Sequence, residues 1–302
     1  MSALKQVLFV ICLGVFWGSS SPLSKLLGEA GISVTLIVLA SGLGVGLGLM
    51  ALQWAAGGRL SWRRSEVLYG FGCGFLVNLP FILSLEAIRH MPVALTAVIV
   101  STTPLLTYAL HLALRQEQFN ALRLLALLIG LASCAAVIVT RPGASLVGAD
   151  MWLWVTLGLP LLYAAYNVFT SVAWPKDMPP LTAGVVESFA SALLGLPLLL
   201  LNSPQTSASA ATPVLGYFLL MAITLMWVVE RVCYFRMIRV FGPVTTVQAV
   251  YVSTPAAVLV GFSLFGETVD VWLLLALVLL MASLWLNNRA MGSIAPELET
   301  AA

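Results

Sequence analysis

Residues 226–235 read MWVVERVCYF and set Glu230 and Arg231 side by side in an otherwise apolar run. A third charge, Glu187, stands in the equally apolar LTAGVVESFAS (181–191). A carboxylate beside a guanidinium in such a setting can form an ion pair, exchange a proton or meet a charged solute. If the run crosses a bilayer, each charge at the hydrocarbon centre costs about 2.5–3.5 kcal/mol on an insertion scale, so it needs a partner. Glu230 shares a helix face with Trp227 and Tyr234, at spacings of three and four, while Arg231 is turned about 100° away. The spacing predicts that Arg231 pairs with Glu187 as a charge network, and that Glu230 and its aromatic neighbours meet a solute or a proton. A second reading stays open, in which these charges snorkel to the interface or form a purely structural network.

The elements that must position them follow from composition. Of 302 residues 61% are hydrophobic and only 9% charged, against about 25% charged in an ordinary soluble domain. Apolar runs of about 20 residues, enough to cross about 30 Å of hydrocarbon as a helix, recur along the whole chain. Ten are expected, over 7–27, 33–56, 66–86, 92–114, 121–140, 151–172, 181–201, 213–235, 243–265 and 269–287. The fold class is therefore an all-α integral membrane protein, with the lipid bilayer as its main partner and no room for a soluble domain. Lys5 and the apolar run after it are read as a retained first helix rather than a signal peptide. Cys12, Cys73, Cys134 and Cys233 lie singly in four spans, and His90 and His111 are isolated. No metal site, cofactor or disulfide framework is expected, and a net charge of +2 gives no reason to expect nucleic acid.

Basic residues give the orientation. With the N-terminus in the cytoplasm, the inner side collects Lys5, Arg59, Arg63, Arg64, Arg115, Arg123, Lys176, Arg236, Arg239 and Arg289, and the outer side only Lys25, Arg89 and Arg141. Both termini are expected inside. Glu187 and Glu230–Arg231 then lie in one layer, roughly 8–12 Å from the cytoplasmic boundary at 1.5 Å per residue.

The chain repeats itself. Pro92, Thr103–Pro104 and Glu117 are echoed by Pro243, Thr254–Pro255 and Glu267. The arginine-rich loop AAGGRLSWRRS after the second span is matched by the uncharged NSPQTSASAATP after the seventh. Five spans per half make equivalent loops face opposite compartments, so the halves, 1–146 and 147–302, read as inverted five-helix repeats. Such repeats mark secondary transporters with a site near the membrane midplane. Pro104 and Pro255 are the expected hinges. The GxxxG spacings in GVFWG (14–18), SGLGVGLG (41–48) and GFGCG (70–74) serve close helix packing, inside the bundle or in a homodimer.

This layout, with FWGSSSPLSK (16–25), PVALTAVIVSTTPLLTYALHLALRQE (92–117) and PVTTVQAVYVSTPAAVLVGFSLFGE (243–267), resembles the EamA type of the drug/metabolite transporter superfamily. The resemblance implies a bacterial inner-membrane carrier that exports amino acids or related metabolites without ATP. It also implies a central cavity bounded by the first, third, fourth, sixth, eighth and ninth spans. The second span departs from many relatives, which carry an arginine there; here it reads VLASGLG, with Ser41 the polar residue.

On the implied cavity walls lie Trp17, Ser20, Asn78, Tyr108, Tyr163, Tyr166, Asn167, Gln248 and Tyr251, which join Trp227, Glu230 and Tyr234 as the expected substrate-binding set. Facing a cavity, this aromatic set suits a small amphipathic or cationic solute. An intramembrane enzyme is disfavoured, because HExxH, GxSxG, CxxC and a phosphate-binding glycine loop are all absent. A lipid or polyprenyl-carrier translocase, or a metabolite uptake carrier, remains the alternative.

Overall fold

The computed structural model describes residues 3–58, 62–115, 118–139, 151–197, 213–247, 249–266 and 270–292, among which there is no strand. The helices are α1 (Ala3–Glu29), α2 (Val34–Leu39), α3 (Val45–Ala55), α4 (Arg64–His90), α5 (Val93–Val100), α6 (Thr103–Ala113), α7 (Ala121–Val139), α8 (Met151–Val172), α9 (Pro180–Gly195), α10 (Pro213–Val247), α11 (Val250–Phe265) and α12 (Val271–Gly292). A single π-helical turn, Ala40–Gly44, joins α2 to α3. Among the described residues, six segments are long and apolar enough to cross a membrane: Leu8–Glu29, Val34–Ala55, Arg64–His90, Leu95–Ala113, Met151–Val172 and Val214–Val240. Shorter apolar helices run over Ala121–Gly130, Pro180–Gly195, Val252–Phe265 and Val271–Ser283.

Large apolar side chains such as Leu8, Leu68, Phe75, Phe218 and Leu259 stay exposed. In water that would be an aggregation surface; against lipid tails it is the expected outer face. The inner contacts mostly join the two halves of the chain. α1 packs on α11 and α10, α4 on α9 and α8, α3 on α9, and α7 on α12. Small residues permit this closeness. At Gly42, in the π turn, a Cβ would lie 2.7 Å from Cα of Ala192 on α9. Gly44 and Gly48 lean on Thr224 and Val228 of α10, so the SGLGVGLG glycines are occupied within the chain.

The fourth expected span, 92–114, is broken. α5 ends at Val100 and α6 restarts at Thr103, with Pro104 in its first turn. Proline has no N–H for the preceding turn and its ring crowds the carbonyl four residues back, so a new helix begins there at least cost. Nearby carbonyls are served by hydroxyls instead. Ser101 Oγ donates to Ala97 O (2.6 Å), Thr102 Oγ1 to Ile99 O (2.7 Å) and Thr103 Oγ1 to Val100 O (2.5 Å). Ser101 also bonds Thr254 of α11, so the break is pinned from across the bundle. Pro255, its sequence counterpart, sits inside the unbroken α11.

The boundary expected between the eighth and ninth spans also differs. One 35-residue helix, α10, runs through Pro243 to Val247. The turn comes at Ala249, whose N–H donates to Thr246 O (3.1 Å).

Candidate functional site

α1 and α10 run antiparallel, and their seam carries two reciprocal indole contacts. Trp17 Nε1 on α1 donates to Glu230 Oε1 on α10 (2.7 Å), and Trp227 Nε1 on α10 donates to Ser20 Oγ on α1 (2.9 Å). As residue numbers rise on one helix they fall on the other, and four polar groups are satisfied between the halves. Tyr234 lies against the Trp17 ring with centroids 5.9 Å apart, and Phe81 of α4 sets its edge on Trp227 at 5.9 Å. Glu230 thus sits, 6% exposed, in an aromatic frame.

One residue on, Arg231 reaches across to α9. Its Nη1 lies 2.5 Å from Oε1 of Glu187, a carboxylate only 1% exposed. Tyr166 OH of α8 donates to the other oxygen, Oε2, at 2.7 Å. The structure therefore brings Arg231 and Glu187 together. It also keeps Arg231 Nε 3.7 Å from Glu230 Oε2, closer than the 100° helical separation implied. With all three groups ionised, two carboxylates and one guanidinium leave one net negative charge in a buried layer.

These groups border a cavity of about 290 Å³ in the middle of the bundle, with walls from both halves. Of the expected substrate-binding residues, Trp17, Ser20 and Asn78 line it from the first half of the chain. Tyr163, Tyr166, Asn167, Trp227, Glu230 and Tyr234 line it from the second. Tyr234 OH donates to Asn167 Oδ1 (3.3 Å), and Tyr163 shares a hydrogen bond with Ser84 (3.2 Å). Pro104 borders the cavity at the α5–α6 break, and Pro255 does not.

Tyr108 is elsewhere. It accepts from Asn120 N (3.0 Å) and lies under the Arg123 guanidinium (4.6 Å), so it fastens the α6–α7 connection. The sequence placed it on a cavity helix but did not show which way that face turns after the break. Gln248 and the Tyr251 side chain lie outside the described residues.

Several lining residues were not singled out beforehand, among them Ser24, Ser84, Thr96 and Ser191. On α1 a signal was present: Trp17, Ser20, Ser21 and Ser24 fall at i, i+3, i+4 and i+7, one helical face. Asn78 and Ser191 hold α4 to α9 by a reciprocal pair, Nδ2 to Ser191 O (2.6 Å) and Ser191 Oγ to Oδ1 (2.5 Å). Ser191→Ala is expected to cost about 1–3 kcal/mol, because the Asn78 carbonyl is left without its donor. The thermal unfolding midpoint of purified protein checks this, and an unchanged midpoint refutes it.

Long apolar helices, lipid-compatible outer faces and a polar, charged cavity at the centre define a multi-pass helical membrane protein. Residues 4–139 match the model of the EamA-like transporter family, which is part of the drug/metabolite transporter superfamily. Among solved structures, one described only as the crystal structure of a protein is similar over 99% of this chain and 100% of its own, with 17% identity and a TM-score of 0.62. At that identity the likeness speaks for the fold. No curated protein matches significantly.

Proposed function

We propose that the protein is a secondary active transporter that moves a small amphipathic or cationic metabolite through the central cavity by alternating access, in the direction of export. Its ten spans form two inverted five-helix halves, with both termini in the cytoplasm of a bacterial inner membrane. Pro104 and Pro255 are the points about which the halves bend. The observation that carries this reading is Glu230: a buried carboxylate at a cavity wall, framed by Trp17, Trp227 and Tyr234, and held by an indole from the opposite half. A carboxylate with aromatic faces around it offers both the Coulombic and the cation–π attraction that a desolvated ammonium requires. The Arg231–Glu187 pair beside it keeps the remaining charges neutralised.

Glu230→Gln keeps the shape and the acceptor for Trp17 but removes the charge. Cells overproducing the wild type are expected to enrich one or more amine metabolites in the medium relative to empty vector. Glu230→Gln, at matched membrane levels, is expected to lose at least about nine-tenths of that enrichment, the effect of removing about 1.4 kcal/mol of interaction. Equal enrichment by both proteins would remove Glu230 from the mechanism. Enrichment by neither would overturn export.

A further inference from the structure

The cavity has a charged end and a hydroxyl end. Among the described lining residues, the carboxylates and the guanidinium are Glu187, Glu230 and Arg231, all in one layer. Away from them, α1 continues the face of Trp17 upward as Ser20, Ser21 and Ser24. Ser24 lies two turns beyond Trp17, about 10 Å along the axis.

Ser24 borders the cavity and is 3% exposed, and its Oγ is buried with no hydrogen-bond partner among the described residues. Buried hydroxyls are satisfied as a rule, and an exception asks for a missing partner. Several other hydroxyls on these walls follow the rule. Ser20 accepts from Trp227, Ser84 pairs with Tyr163, and Thr96 and Ser101 donate to the carbonyls of Pro92 and Ala97, four residues back. Ser24 makes no such bond to its own helix.

We propose that the cavity's ligand is a monocation whose far end carries a neutral hydrogen-bonding group, a hydroxyl or an amide, which pairs with Ser24 Oγ while the ammonium meets Glu230. The inference rests on the reading of Glu230 as the solute's charge partner. It narrows the substrate class, because among the described lining residues a carboxylate at the hydroxyl end would meet no cation and a second ammonium no anion. Either would be desolvated without compensation. Simple zwitterions with separated charges, and diamines, are therefore poor ligands.

The test is calorimetric titration of the purified full-length protein with four six-carbon probes: 6-aminohexan-1-ol, hexylamine, 6-aminohexanoate and hexane-1,6-diamine. The wild type is expected to bind 6-aminohexan-1-ol about 5-fold more tightly than hexylamine, the fold-change of one net hydrogen bond, and more tightly than the other two. Ser24→Ala is expected to abolish the difference between the amino alcohol and the amine, and Glu230→Gln to weaken both. Equal binding of the two by the wild type overturns the inference, as does a preference that survives Ser24→Ala. If Glu230→Gln still weakens hexylamine in that case, the cation site stands without its second contact. An affinity for 6-aminohexanoate or the diamine that matches the amino alcohol overturns the neutral-end assignment. Failure of the wild type to bind any of the amines overturns both the inference and the reading beneath it.

Discussion

Arg231→Met is expected to lower the stability of the folded protein by about 3–5 kcal/mol, the cost of stripping one partner from a buried ion pair. The guanidinium stands between two carboxylates, 2.5 Å from Glu187 and 3.7 Å from Glu230. Its removal leaves Glu187, 1% exposed, with the Tyr166 hydroxyl as its remaining hydrogen-bond donor. Glu187→Gln is expected to be milder, because Arg231 keeps Glu230 within ion-pair range and the amide oxygen still accepts from Tyr166. The double variant, Glu187→Gln with Arg231→Met, is expected to regain part of the loss, since Glu187 is then no longer a stranded charge, while Glu230 keeps the Trp17 indole but not its cation. Unfolding midpoints of the four proteins in one detergent give the coupling directly. If Arg231→Met unfolds with the wild type, the pair holds nothing together.

Gly18→Val is expected to cost at least about 1–3 kcal/mol and to disturb the site as well. A Cβ at Gly18 would collide with the Ser253 carbonyl oxygen and lie 2.7 Å from Ala256 Cβ and 3.0 Å from Ala257 N. Two of those three atoms are backbone, so relief requires α1 to move off α11. Trp17 is the adjacent residue, and its bond to Glu230 would lengthen with the same movement. Gly28, on the same helix, has nothing within 4 Å of the corresponding position. Gly28→Ala is therefore the control, expected within about 0.5 kcal/mol of the wild type. Similar midpoints for Gly18→Val and Gly28→Ala would show that the α1–α11 contact is loose enough to repack.

What was legible in the sequence was what depends on length and polarity. A run of apolar residues must be a helix in lipid because its backbone has no other partner there, so the segments around Trp17, Asn78, Glu187 and Glu230 were placed without a structure. Depth along a helix then follows from 1.5 Å per residue, which put Glu187 and Arg231 within reach of each other. Rotation was the harder quantity. Tyr108 and Ser24 both lie on α-helical stretches, yet one fastens a turn and the other lines the cavity, a matter of how the helices roll against their neighbours. Proline was also ambiguous. Pro104 begins a helix where hydroxyls serve the carbonyls around it, Pro255 is carried within one, and nothing in the two Thr-Pro pairs distinguishes these outcomes. The π turn at Ala40–Gly44 was hidden for a related reason, since it arises where Gly42 meets Ala192 of a distant helix.

The indole of Trp17 and any cation that enters the cavity address the same carboxylate. Under the proposed function, a cation that displaces the indole from Glu230 weakens the α1–α10 seam, and by thermodynamic reciprocity the intact seam lowers affinity for that cation by the same factor. An unloaded protein is accordingly at its most tightly fastened between the two halves. Under the proposed function, interconversion of the empty protein, which moves no cargo, is the step this arrangement slows.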